Sequence, residues 1–242
     1  MLAGSVGGLA RWAVTDRHGG VSEPPYDRLN LAEHVGDDPP AVAANRARLL
    51  AALEGARGVA FMRQVHGRAV TVVAAAPGEP PECDALVTAT PGLVLAALVA
   101  DCVPVLLADP DAGVVAAAHA GREGVRLGVV DATLEVMAAL GARATRTRAV
   151  LGPAVCPACY EVPQPLRTQV AAVAPAAHAV SRWGTPALDL RAGLAARLAG
   201  HGVEVTAVGG CTVETPQLYS FRRDGVTGRF AGLVWLADGR AA

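Results

Sequence analysis

A chain of 242 residues with 52% hydrophobic residues has ample length to bury a core, and its net charge of −1 leaves no electrostatic footprint for nucleic acid or anionic lipid. No apolar run approaches the roughly eighteen uncharged residues of a membrane span, and the first ten residues lack the basic start and apolar core of a secretory signal. A cytoplasmic protein without nucleic-acid or membrane partners is expected. All 21 basic residues are arginine, which removes Schiff-base, pyridoxal-phosphate and P-loop lysine chemistry together.

Residues 11–15 read as a first strand, and a polar, Gly-rich loop runs from Asp16 through Tyr26. Asp37-Asp38-Pro39-Pro40 supplies an N-cap and a first-turn proline for a helix over residues 40–53. Strands over 59–65 and 69–73 flank His66-Gly67-Arg68, which reads as a short hairpin-like connection. Residues 93–99, 104–108 and 114–119 are further apolar strands. After Gly121 the pattern turns helical to about Leu140, with Val125, Val129, Ala132, Leu134 and Val136 available for a buried stripe. A strand at 149–152, helices near 165–173 and 190–200, and strands at 203–208 and 229–236 complete the chain. No linker or repeat divides it, so one domain over residues 1–242 is expected. Clustered strands with helices between some of them point to an α+β (mixed α/β) fold with mixed sheets.

The chemistry concentrates at strand ends. Asp101 and Cys102 interrupt an otherwise buried apolar run, where an unpaired carboxylate is costly. His66 ends the strand that precedes it, and His119 stands just before a helix. Two imidazoles and a thiolate converging on one sheet edge suit zinc, with one position left open; each residue alone is equally read as ordinary core or surface. His18 and His34 fall in polar loops and His178 and His201 near element ends, where solvated histidine is the simple reading. Arg46, Arg222 and Arg223 allow two readings: solvated surface, or anion clamps, since guanidinium forks suit phosphate.

Five cysteines (Cys83, Cys102, Cys156, Cys159 and Cys211) form no disulfide framework in a chain of this kind. Cys156-Pro-Ala-Cys159 matches the C-x-x-C of redox and zinc sites. A second C-x-x-C is missing, so local packing explains the pair and it is expected to be dispensable for turnover.

The stretches "RHGGVSEPPYDRLNLAEHVGDDP", "NR" at Asn45-Arg46, "QVHG", "DALVT", "ADCVPVLLAD", "AAHAG", "LGPAVCPACYEV" and "CTVETPQLYSFRRDGVTGR" follow one another from Thr15 to the C-terminus. Together they resemble the laccase-domain, or polyphenol oxidase-like, family. The resemblance implies a layered α/β/β/α fold similar to that of the cytotoxic necrotizing toxin deamidases. It implies a zinc site of His66, Cys102 and His119, with Asp101 beside it orienting a ligand or substrate. It implies zinc-dependent phosphorolysis of purine nucleosides (adenosine, inosine, guanosine, methylthioadenosine) with adenosine deaminase activity, in a monomer or homodimer. Arg46, Arg222 and Arg223 are then candidate phosphate contacts. One departure stands out: the family commonly continues H-A-G with W-R-G, whereas this chain has Arg122-Glu123-Gly124.

Copper fits less well, because a blue-copper plus trinuclear centre needs about ten histidines and the chain has 6. Two alternatives remain. One is a thiol hydrolase or deamidase with Cys102 as nucleophile and His119 as base. The other is a nucleoside-binding protein whose activity is reduced by the Arg122-Glu123 change.

Overall fold

Uninterrupted apolar runs become strands buried on both faces, and here they form two mixed sheets packed together in a computed structural model that describes residues 1–237. The first sheet holds five strands in the order β1 (Leu2–Val6), β2 (Ala10–Val14), β13 (Phe230–Leu236), β6 (Leu93–Val99) and β3 (Gly58–Ala60). The second holds six: β12 (Glu204–Ala207), β9 (Arg148–Leu151), β7 (Val103–Asp109), β8 (Val114–Ala120), β5 (Ala85–Thr88) and β4 (Val70–Val72). β3–β6, β4–β5 and β9–β12 are parallel and the other pairs antiparallel, so both sheets are mixed.

The period-2 alternation of a strand sorts side chains between layers. In β6, Leu93, Leu95 and Ala97 face the inter-sheet core with Leu106, Ala117 and Val234. Their neighbours Val94, Ala96 and Leu98 face outward, where Leu49 and Leu53 from α1 (Pro39–Ala52) and the residue after it cover them. On the other side, α2 (Arg122–Leu127), α3 (Val129–Ala139) and α5 (Leu190–Gly200) pack Val125, Val129, Leu134 and Leu194 over Val105, Leu107, Ala116 and Ala118. The layers are therefore α/β/β/α, as the family resemblance implies, and the sheets are mixed as the strand pattern expects. α4 (Gln164–Val173), a small ribbon of β10 (His178–Val180) and β11 (Pro186–Leu188), and the single turn α6 (Phe221–Asp224) complete the chain.

Three expectations change. The strand expected over 59–65 ends at Ala60, so His66 stands on a crossing and not at a strand end. His66-Gly67-Arg68 does not join a hairpin: β3 lies in the five-stranded sheet and β4 in the six-stranded one, each paired in parallel with a different partner. The segment crosses between sheets. The single helix read after Gly121 is two, because Gly128 takes a left-handed φ of 80° that ends α2 and starts α3. β1 carries no alternating pattern, since four of its five residues are exposed at the sheet edge.

Candidate metal centre

The run that holds Asp101 and Cys102 also crosses between sheets: β6 ends at Val99 in one, and β7 begins at Val103 in the other. His66 and Cys102 therefore both lie where the chain leaves one sheet for its partner. His119, the penultimate residue of β8, faces Pro104 of β7 in the antiparallel register. The three meet at one end of the sandwich, with one donor atom each of His66, Cys102 and His119 within 4.8 Å of one another. Cys102 Sγ is 3.9 Å from His66 Nε2, and the two imidazole rings stand nearly perpendicular with centroids 4.7 Å apart. Gly121 closes the back of the group, for a Cβ there would lie 2.8 Å from His66 Cδ2 and 3.1 Å from Cys102 Sγ.

Asp84 organises two of the three donors. This buried carboxylate, the residue before β5, accepts from His119 Nδ1 at 2.9 Å and from the backbone N–H groups of His66 at 3.0 Å, Gly67 at 2.6 Å and Val65 at 3.3 Å. It fixes the His119 tautomer so that Nε2 is left for a ligand. It also holds the crossing in shape, since His66 sits at a left-handed φ of 60°. Burial alone would raise the Asp84 pKa; the His119 imidazole and the backbone donors hold it below the usual carboxylate range instead.

The electrostatics of the other donors are coupled. Burial opposes ionisation of the Cys102 thiol, but the His119 imidazolium and hydrogen bonds from both imidazoles bring its pKa down to about 6. Burial likewise opposes the His119 cation, yet the Cys102 thiolate and the Asp84 carboxylate raise it to about 9. Two imidazoles and a thiolate form a coordination set suited to a borderline metal with one open position, so the donors fit zinc. They do not make a multi-copper centre, since the cluster holds two of the chain's 6 histidines.

A cleft of about 360 Å³ opens above these donors, a volume suited to a small molecule. Its wall includes His34, Tyr160, Phe221, Arg222 and Arg229. The Arg222 guanidinium lies 4.9 Å over the Tyr160 ring. Asp101 also reaches the cleft, at a left-handed φ of 91°, but both its oxygens are engaged. Oδ1 accepts from Thr212 Oγ1 at 2.6 Å and Ser220 Oγ at 2.7 Å, and Oδ2 from the Arg222 N–H at 2.7 Å. Asp101 thus pins the segment that carries Arg222 to the crossing that carries Cys102.

Of the three arginines singled out in the sequence, only Arg222 lines this cleft. Arg46 lines a neighbouring recess, where its guanidinium bonds the Leu31 carbonyl and Glu33 and stacks 4.0 Å over Phe61. Arg223 is turned inward to Asp224 and to the carbonyls of Thr212, Thr215 and Leu218. The sequence reading missed Asp84 and Arg229, and it read as solvated a histidine, His34, that lines the cleft. An acid directly before four wholly buried strand residues was the available signal for Asp84. Arg122 starts α2 with a buried Nε that has no hydrogen-bond partner, while Glu123 pairs with Arg126 at 2.8 Å.

Residues 11–237 match the family model described as multi-copper polyphenol oxidoreductase laccase. A Streptomyces griseus protein named purine nucleoside phosphorylase is 54% identical over 237 residues, covering 96% of each chain. A Mycobacterium bovis protein of the same name is 52% identical over 241 residues, covering 96% of this chain and 94% of that one. Among solved structures, a Neisseria meningitidis protein superposes with a TM-score of 0.87 at 36% identity, covering 98% of this chain and 99% of that one. YlmD from Geobacillus stearothermophilus gives 0.85 at 30% identity, covering 95% and 92%.

Proposed function

This chain belongs to the laccase-type polyphenol oxidoreductase family, and on that premise we propose that it is a zinc-dependent purine nucleoside phosphorylase that also deaminates adenosine. The observation that carries the reading is a donor set of His66, Cys102 and His119 at the floor of a cleft that also presents Arg222 and Arg229. The naming of relatives near 50% identity as purine nucleoside phosphorylases supports it. When bound at these donors, zinc supplies Lewis-acid chemistry with one position open to a small ligand.

The chain's own residues divide the remaining work. Tyr160 and Phe221 offer aromatic faces for a purine; Phe221 is 60% exposed at the cleft, with the Arg229 guanidinium 6.0 Å from its ring centroid. Arg222 and Arg229 offer guanidinium groups to phosphate. In phosphorolysis a phosphate oxygen attacks the ribose anomeric carbon as the glycosidic C–N bond breaks, and the base leaves with the bond pair. Deamination of adenosine exchanges the C6 amino group for oxygen from water and needs no phosphate. Asp84 holds the His119 imidazole and the backbone of His66, and Asp101 holds the Arg222 segment, so each positions a group without reaching substrate.

One observation favours a second reading. A buried carboxylate, an imidazole and a thiol of depressed pKa adjoin one another in space in the order Asp84, His119 and Cys102, the arrangement of a cysteine hydrolase or deamidase. Chromatography of adenosine incubations with zinc-loaded protein, with and without phosphate, separates the possibilities. Adenine with ribose 1-phosphate only when phosphate is present, and inosine in either case, is the expected result. Base release that ignores phosphate would mean hydrolysis, and undiminished turnover after complete zinc removal would favour the thiol reading.

A further inference from the structure

Cys156 and Cys159 leave β9 in the loop that leads to α4, and Cys211 and Glu214 lie in the loop between β12 and α6. The two loops are joined by a parallel bridge between Ala154 and Cys211 and by the Thr212 N–H donating to the Ala154 carbonyl at 3.1 Å. That pairing delivers the donors that the C-x-x-C lacked in the sequence. Cys156, Cys159, Cys211 and Glu214 each contribute one ligand atom, and these atoms all lie within 4.8 Å of one another. Cys159 and Cys211 are buried and Cys156 is half-buried.

We propose that Cys156, Cys159, Cys211 and Glu214 form a second zinc site, structural rather than catalytic. Three thiolates and a carboxylate make four protein ligands, which is the closed coordination of a structural zinc. Tetrahedral zinc with sulfur at about 2.3 Å sets ligand atoms about 3.8 Å apart, so the cluster needs to tighten by no more than roughly 1 Å. Donors already surround the sulfurs from outside the cluster: the Cys156 N–H reaches Cys211 Sγ at 3.3 Å, and Arg182 Nη2 reaches Cys159 Sγ at 2.9 Å while pairing with Glu214. N–H bonds to sulfur and a cation against the outer carboxylate oxygen are what stabilise an anionic thiolate-rich centre. A disulfide would use two of the three sulfurs and leave the third beside it without a partner.

The position gives the site a purpose. One loop continues from Cys159 directly into Tyr160, and the other runs from Cys211 through Thr212 and Ser220 to Arg222. Tyr160 and Arg222 are the stacked pair in the cleft wall, and Thr212 and Ser220 hold Asp101. A metal at the cysteines clamps together the two loops that build this wall. The site stands whether or not the phosphorylase reading is correct, since it rests on residues outside the cleft.

Elemental analysis of full-length protein, kept under a phosphine reductant, tests the proposal. Wild type should carry about two equivalents of zinc, one for each site. His66→Ala/Cys102→Ala should keep one, and Cys156→Ala/Cys211→Ala should lose one and melt at lower temperature. Because the second variant can fail to fold, cobalt is added to metal-free His66→Ala/Cys102→Ala as well. An intense near-ultraviolet thiolate-to-cobalt band, abolished when Cys211→Ala is added, is expected. A His66→Ala/Cys102→Ala protein that folds but binds neither zinc nor cobalt would overturn the site, as would a cobalt band indifferent to Cys211.

Discussion

Replacing Asp84 by asparagine removes one charge and one acceptor from the group that aligns both histidines. The carboxylate now accepts four N–H bonds, from His119 Nδ1 and from Val65, His66 and Gly67. Asparagine keeps one carbonyl oxygen and turns an NH2 toward either the imidazole N–H or the Gly67 N–H, so donor meets donor on one side. Loss of a charge-assisted bond in a buried setting costs about 1.5–3 kcal/mol, and the unmatched donor adds to it. A fall in folding stability of about 2–4 kcal/mol is expected for the metal-free protein, read from urea unfolding. Outer partners of metal-bound histidines are typically worth about 10–100-fold in affinity, or about 1.4–2.7 kcal/mol. Zinc competition against a calibrated chelator should therefore show weakening of the cleft site in that range. Asp84→Asn protein with zinc affinity within about twofold of wild type would refute the role of Asp84 in aligning the ligands.

The thiol provides a pH test on metal-free protein: the Cys102 pKa is lowered, so the thiolate persists as pH falls until about 6. Its alkylation by iodoacetamide, followed by peptide mass spectrometry, should be near its plateau at neutral pH and fall through that value. The stabilising pair of thiolate and imidazolium is present between about 6 and about 9, lost below as Cys102 gains a proton and above as His119 loses one. His119→Ala should move the alkylation inflection up toward the ordinary thiol value, and no movement would show that the imidazolium is not the cause. Arg222→Ala should raise the phosphate KM by roughly tenfold or more, whereas Arg46→Ala, committed to Glu33 and Phe61, should leave it nearly unchanged. The reverse order would return the anion site to Arg46. Gly121→Ala should lower zinc content by pressing a methyl group against His66 and Cys102, and full occupancy in that variant would mean the crossing is more pliable than its contacts indicate.

The three donors are candidates in the sequence because each stands at the end of an apolar run, yet each alone reads equally as core or surface, and only their meeting in space singles them out. What could not be read is where those ends meet. Strand order is a non-local property: β6 and β7 adjoin in sequence as consecutive apolar strands, yet they belong to different sheets. The same limit concealed the cysteine cluster, since Cys211 reaches Cys156 only through the bridge that joins two distant loops. Charge was legible and its use was not. Arg46, Arg222 and Arg223 look alike in sequence, and only the neighbours each one meets decide that Arg222 alone faces the cleft.

Placing ligands where a chain crosses between sheets has a physical consequence. A crossing has no ladder of its own, so its backbone must be held by side chains, and both crossings are held by a buried acid. Asp84 fastens the one with His66 at φ 60°, and Asp101, itself at φ 91°, fastens the one with Cys102. Such conformations cost of order 1–3 kcal/mol each unless surrounding bonds over-determine them. Those bonds run to protein groups on other elements and not to a ligand, so the geometry of the cleft donors is set by the fold itself. The cysteine cluster is built the other way, on two loops with no sheet ladder between them, joined by one bridge, a few N–H bonds, the Arg182–Glu214 pair and a small buried cluster of Val155, Cys159 and Cys211. Stripping metal should therefore leave the His66–Cys102–His119 end of the sandwich ordered while the 153–160 and 209–216 loops gain amide exchange. Increased exchange concentrated instead at 64–67 and 100–103 would show that the buried acids do not hold the crossings by themselves.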